Sequence, residues 1–227
     1  MQPRFLGRLA LADLVSVTNA VLGFFAVAVA PIDPSLSARL ILLAAIADGL
    51  DGVVARSLGS SSVGVYLDSL ADVASFGVAP ATLVYVVAMD GLDVGTWSFE
   101  TGIVFLILGL FVGMAVVRLG FYMRYDSEEP QTVGVQTTLS AVLLAVAYLA
   151  GITDPLVLLG GVAVFSYLMV APITYPELYA RDAIVLGGLQ AIAAIAPTTL
   201  NRLFPRALLA FALAYLVFAP YLYWRET

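Results

Sequence analysis

Apolar residues run along this chain in long stretches, broken by short polar or proline-bearing gaps. The stretches lack period-two alternation and reach or exceed the ~20 residues a helix needs to cross a bilayer, so they predict membrane helices. Read from the breaks, the first helix covers 11–30 and stops at Pro31 and Pro34, the second covers 36–58, and the third 63–88. The fourth covers 98–124, the fifth 134–150 and the sixth 155–172. Two more fall near 182–199 and 203–223, where Pro197 and Pro205 leave re-entrant or broken segments open. The expected fold is all-α, a polytopic transmembrane helical bundle of 6 to 8 membrane helices forming a single integral membrane domain over 1–227. The N-terminal Met1 to Ala10 reads as retained. Asp13, Thr18 and Asn19 interrupt the apolar run that follows, and no small-residue cleavage site is evident.

Composition narrows the chemistry. Of 227 residues, 62% are hydrophobic and 11% charged, against about a quarter charged in a soluble domain. A soluble globule, a disordered chain and a disulfide scaffold are all excluded, and the ~10-residue alternation of a membrane barrel is missing. With no cysteine and no histidine, the chain has no thiolate nucleophile and no imidazole base. All ten basic residues are arginine. An enzyme built from these residues would use a carboxylate as base, and oxygen ligands would suit Mg²⁺, Mn²⁺ or Ca²⁺.

Arginine placement gives an orientation. With the N-terminus in the cytoplasm, Arg4, Arg8, Arg56, Arg124, Arg181 and Arg225 fall inside, and Arg39, Arg202 and Arg206 outside. Tyr221, Tyr223 and Trp224 suit an aromatic belt at the last exit. The net charge of −6, with acids such as Asp90, Asp93, Asp126, Glu128, Glu129, Glu177 and Asp182 in loops, suits a salt-rich cytoplasm.

One segment breaks the apolar pattern. Asp48, Asp51 and Arg56 lie in the second predicted helix, Asp68 and Asp72 in the third. A charge at the bilayer centre costs ~2.5–3.5 kcal/mol on insertion scales, which marks intramembrane acids as functional candidates. Asp48 and Asp51 are i,i+3, while Gly64, Asp68 and Asp72 are successive i,i+4 steps, so each set lines one helix face. The Ser/Gly-rich link Ser57 to Val63 lets the two helices pack antiparallel with these faces opposed. Four acids brought together repel unless cations bridge them, which predicts a two-metal oxygen site suited to phosphoryl transfer. Gly52 and Ala55 leave room for a substrate, and Arg56 is placed to bind phosphate. The plainer alternative is a cation transporter using the acidic cluster.

The segment resembles the signature of the CDP-alcohol phosphatidyltransferase family, D-x2-D-G-x2-A-R-x(7–8)-G-x3-D-x3-D, with every fixed position present and seven residues between Arg56 and Gly64. The resemblance implies a transferase of phospholipid biosynthesis in which an alcohol attacks the lipid-bearing phosphate of a CDP-activated lipid and releases CMP. It implies that Asp48, Asp51, Asp68 and Asp72 bind a pair of Mg²⁺ or Mn²⁺ ions, with Asp72 also the catalytic base. Gly52, Ala55, Arg56 and Gly64 would surround the CDP group, as would Asn19 on the first helix, which could instead make an interhelical hydrogen bond. The site would lie near the cytoplasmic face of the cell membrane. On this view 1–150 holds the catalytic helices and 151–227 adds further membrane helices.

The stretch Leu67 to Pro80, LDSLADVASFGVAP, resembles the phosphatidylserine and archaetidylserine synthase branch. Arg118-Leu119-Gly120-Phe121 resembles that branch's R-L-A-R-F segment with the second Arg lost, and Gly134 to Thr137 lacks a proline found there. The acceptor is then L-serine, with Arg118 for its carboxylate and Ser69 and Ser75 nearby. Arg118 could instead be a structural pair with Asp126. The same family with glycerol phosphate or inositol phosphate as acceptor is the nearest alternative, though the chain is poor in buried cations for it. A homodimer is suggested by relatives, and no nucleic-acid partner is expected.

Overall fold

A computed structural model of the chain describes residues 9–92, 98–126, 131–176 and 180–222. Each expected apolar run is one helical rod. α1 spans Leu11–Val29, α2 Pro34–Leu58, α3 Gly64–Asp72 and α4 Ala79–Gly91. A π-helical stretch, Val73–Val78, joins α3 and α4 without a break. α5 spans Phe99–Phe121 and runs into a second π-helical turn, Tyr122–Asp126. α6 covers Thr137–Ala150, α7 Pro155–Leu168, α8 Ala180–Ile195 and α9 Thr199–Leu222.

The ends follow from local chemistry. Asp33 caps α2 by accepting from the Leu36 amide at 3.0 Å, with Pro34 at the first helical position. Asp154 and Pro155 do the same for α7. Ser98 caps α5, and Gly151, at φ 102°, ends α6 in the left-handed region. Among the described residues, four rods are long and apolar enough to cross a membrane: Leu11–Val29, Gly64–Gly91, Phe99–Tyr125 and Thr199–Leu222. α6 and α7, at 14 residues each, reach only ~21 Å at 1.5 Å per residue. The fifth and sixth helices are thus shorter than the sequence suggests.

The shortening has a cause. The residues lost from the two helices, 134–136 and 169–172, instead lead into two strands just outside the predicted bounds, β1 (Gln131–Val133) and β2 (Thr174–Pro176). They pair antiparallel with Thr132 opposite Tyr175. The all-α expectation therefore needs one amendment, a two-stranded ribbon linking the loops before α6 and after α7. Its exit is tight. Gly134 has φ +81°, and a Cβ there would clash with the Met169 carbonyl oxygen.

Two apolar clusters hold the bundle. One joins α1, α2, α4, α6, α8 and α9 around Ile41, Leu42, Phe76, Leu83 and Val146. The other joins α4 to α5, α6 and α7 around Val84, Phe111, Leu158 and Val162. α1 packs along both α2 and α3. At Gly23 it comes so close that a Cβ would meet the Ser75 Oγ at 2.5 Å. α2 contacts the π-helical stretch and α4 beyond it, but among the described residues it has no comparable backbone contact with α3. The two rods touch in mid-bundle and splay at the end that carries the aspartates. The polar faces expected to oppose each other do so, across a cleft.

Candidate active site

The cleft is lined from α2 and α3. Asp48, Asp68 and Asp72 each place a carboxylate oxygen so that these atoms lie within 4.8 Å of one another. Spacing explains the Asp68–Asp72 pair, which sits one turn apart on α3. The opening between α2 and α3 lets Asp48 reach across. Asp72 is buried, the other two are half-buried, and Asp68 Oδ1 has no hydrogen-bond partner. Among the described residues, neutral donors bind the other two: the Asn19 Nδ2 donates to Asp72 Oδ1 at 3.1 Å, and the Thr138 hydroxyl to Asp48 Oδ2 at 3.2 Å. Three hard carboxylates with an unpartnered inward oxygen fit a divalent cation such as Mg²⁺ or Mn²⁺.

Asp51 is placed differently. It faces Asp68 across the cleft, but its fixed partner is Ser16 of α1, whose hydroxyl donates to Asp51 Oδ2 at 2.7 Å. It lies outside the close trio. The sequence groups four aspartates, and the structure brings three together with the fourth beside them.

The positions expected around CDP separate into two kinds. Gly52, Ala55 and Arg56 lie on the last turns of α2, with Arg56 exposed at the cleft mouth. A Cβ on Gly52 would make ordinary contact with the Arg56 guanidinium, at 3.5 Å, so the two positions share one surface. Gly64 and Asn19 have inward roles. A Cβ on Gly64 would approach the Asp13 carboxylate of α1 at 3.0 Å. Asn19 is fully buried and spends its amide on Asp72.

The expected acceptor positions also divide. The Ser75 hydroxyl donates to the Asn19 backbone carbonyl at 2.8 Å and so ties the π-helical stretch to α1. Ser69 is buried with its Oγ unpartnered. Arg118, on the last turn of α5, is 8% exposed. It donates to the Thr132 hydroxyl at 3.0 Å, its guanidinium stands 5.3 Å over the Tyr122 ring, and it attracts the Asp72 carboxylate. The alternative partner of Arg118, Asp126, has its side chain outside the described residues, as do Arg4, Arg8, Tyr223, Trp224 and Arg225.

Sequence reading missed Asp13, Ser16, Tyr122, Thr132 and Thr138. Tyr122 lies in electrostatic range of Asp48, Asp68 and Asp72, brought there by the π-helical turn that ends α5. Polar residues at membrane-helix ends are a weak signal, and only the fold shows which ones converge.

A sequence profile of CDP-alcohol phosphatidyltransferases matches residues 9–175, which include every residue of this cleft. The chain belongs to the CDP-alcohol phosphatidyltransferase family. Within that family it is 34% identical over 174 residues to the archaetidylserine synthase of Methanothermobacter thermautotrophicus, covering 74% of this chain and 70% of the relative. It is 33% identical over 149 residues to the CDP-diacylglycerol–serine O-phosphatidyltransferase of Helicobacter pylori, covering 61% of this chain and 59% of that one. A shorter match, 45% over 76 residues, is to the enzyme of the same name from Methanocaldococcus jannaschii, covering 33% and 35%.

Proposed function

We propose that this protein transfers the phosphatidyl or archaetidyl group of a CDP-activated lipid to the hydroxyl of L-serine, releasing CMP. The observation that carries the proposal is the Asp48–Asp68–Asp72 trio meeting within 4.8 Å beside a buried arginine, in a chain of this family whose relatives above are named for serine transfer or archaetidylserine synthesis. Asp48, Asp68 and Asp72 would hold a divalent ion, with Asp51 beside them completing a two-metal site. Bound there, the metal supplies charge neutralisation for the diphosphate and for the departing CMP. The exposed Arg56 binds the diphosphate from the cleft mouth, with Gly52 and Ala55 leaving room for the nucleotide.

The chemistry left to the chain is a proton transfer and an alignment. The serine hydroxyl oxygen attacks the lipid-bearing phosphorus, its proton passes to a carboxylate oxygen of Asp72, and the bond from that phosphorus to the CMP oxygen breaks. Asn19 holds Asp72 through its Oδ1. Arg118 receives the serine carboxylate, and the unpartnered Ser69 hydroxyl is available to the acceptor. Ser75 supports the site through α1. An acceptor bearing its own phosphate would call for a denser cationic pocket than Arg118 and Arg56 provide, and a cation transporter would need neither arginine.

The assay is CMP release by the purified protein with CDP-lipid, Mn²⁺ or Mg²⁺, and serine, glycerol phosphate or inositol phosphate in turn. Release dependent on serine supports the reading, and release with another acceptor alone rejects it. We place the cleft at the cytoplasmic face, in a cell membrane, with the N-terminus inside. In support, Arg56 and Arg124 lie at the cleft end, whereas Arg39, Arg202 and Arg206 at the far end are bound to helix carbonyls. Because the chain has no cysteine, single cysteines at Ser60 and Ile32 would report the sides directly; labelling of Ser60→Cys from outside intact cells rejects this orientation. A homodimer is compatible with the exposed apolar faces, and cross-linking in the native membrane tests it.

A further inference from the structure

The family profile ends at residue 175, yet α9 beyond it is tied to the ribbon that contacts Arg118. Arg118 donates to Thr132 at 3.0 Å, and Thr132 is the middle residue of β1, directly opposite Tyr175 in β2. In an antiparallel pair, opposed residues project to the same side. Thr132 and Tyr175 are both buried there. The Tyr175 hydroxyl donates to the Leu216 carbonyl of α9 at 3.1 Å, and the Tyr215 hydroxyl of α9 donates to the Pro176 carbonyl at 2.7 Å. The two rings lie 6.3 Å apart.

The acceptor on α9 has a sequence origin. Pro220 is four residues after Leu216 and has no N–H, so the Leu216 carbonyl loses its helical partner. Tyr175 fills that vacancy. A small apolar cluster of Val135, Tyr175 and Ala219 closes the join. The path from α9 to the arginine beside the trio is therefore made of specific polar contacts between buried or half-buried groups.

We propose that the β1–β2 ribbon, anchored to α9, is a strap that sets the position of the Arg118 guanidinium. Thr132 is the positioning residue, and Tyr175 and Tyr215 are its anchors. This rests on reading Arg118 as the residue that receives the acceptor. It extends that reading by giving the C-terminal helix a role in acceptor affinity. Arginine is long and flexible, so a fixed hydroxyl on a rigid ribbon lowers the cost of holding its fork toward a carboxylate.

The experiment compares steady-state kinetics of the full-length protein with Thr132→Val, Thr132→Ser and Tyr215→Phe. Removing a hydrogen bond to a charged group weakens binding by about tenfold or more. Thr132→Val is expected to raise the KM for serine about tenfold, with the KM for CDP-lipid and kcat within about twofold of wild type. Thr132→Ser, which keeps the hydroxyl, should restore the serine KM, and Tyr215→Phe should raise it by a smaller factor in the same direction. An unchanged serine KM in Thr132→Val overturns the proposal. So does a parallel loss in both substrates and kcat. Should Thr132→Val fail to fold, Tyr215→Phe, which deletes one oxygen, decides: a serine KM unchanged there overturns the strap. Failure of the serine reading shows separately, as wild-type CMP release that ignores serine. The same series is then run on the alcohol that is used, and an unaltered KM for it in Thr132→Val overturns the positioning role.

Discussion

Asp72 ends α3 at the residue before the helix widens to π geometry, and Asn19 from α1 fixes its Oδ1 at 3.1 Å. A carboxylate held that way can take a proton with little reorganisation. Asp72→Asn keeps the shape and one oxygen ligand, so metal binding should change little while turnover falls about 10²–10⁴-fold. Mn²⁺ titration followed by spin resonance, beside CMP release, checks both. A near-wild-type rate would remove Asp72 as the base. Ser16 and Thr138 act one step back, each orienting a carboxylate. Loss of such a supporting bond typically costs 10–100-fold in metal affinity or activity. Ser16→Ala and Thr138→Val are each expected to weaken Mn²⁺ binding in that range, and unchanged titrations would show the bonds to be incidental. The aspartates were legible in the sequence because i,i+3 and i,i+4 spacing is a local property. Asn19 was legible as a site residue through the family resemblance but not as the partner of Asp72, 53 residues away, and Ser16 and Thr138, 35 and 90 residues from their aspartates, were not legible at all.

Among the elements, α1 carries more of the site than its apolar sequence suggests. It supplies Ser16 and Asn19, and its register against the α3–α4 rod is set where Gly23 meets Ser75. A methyl group at Gly23 would lie 2.8 Å from the Ser75 backbone as well as 2.5 Å from its hydroxyl. Rotamer change cannot relieve the backbone clash, so α1 must move. Overpacking of this kind costs about 1–3 kcal/mol. Gly23→Ala is therefore expected to lower thermal stability in detergent and to reduce turnover, because the same shift displaces Asn19 from Asp72. Equal melting temperature and rate would mean that α1 relaxes freely. The helix pattern itself was readable, since long apolar runs and prolines report on local chain physics. The β1–β2 ribbon was not. Three-residue strands are too short to show alternation, and their pairing joins residues more than forty apart. The π-helical stretches were equally hidden, because they shift the hydrogen-bond ladder while leaving the hydrophobic pattern almost unchanged.

At the scale of the whole molecule, charge is distributed by function. Three arginines at the end away from the cleft bind main-chain carbonyls: Arg39 that of Ala194 at 2.6 Å, Arg202 that of Leu149 and Arg206 that of Ala150. Each stabilises the negative end of a helix, α8 in the first case and α6 in the others. Asp33 and Asp154 likewise cap helix N-termini. These charges are committed to helix ends, and Arg181 with Asp182 at 3.3 Å forms a surface ion pair. The net charge of −6 is what remains after all ten arginines are counted. Mutual repulsion among the acids should destabilise the fold at low ionic strength. At 1 M salt the screening length is only ~3 Å, which suppresses that repulsion while screening part-buried contacts such as Arg39–Ala194 much less. The protein is expected to melt at higher temperature and to turn over faster in molar KCl than in dilute buffer, with most of the gain below ~1 M, where the screening length changes fastest. Full activity in dilute buffer, lost as KCl is added, would mean that the acidic balance is not an adaptation to salt. It would also mean that the exposed Arg56 binds the diphosphate mainly through screenable attraction.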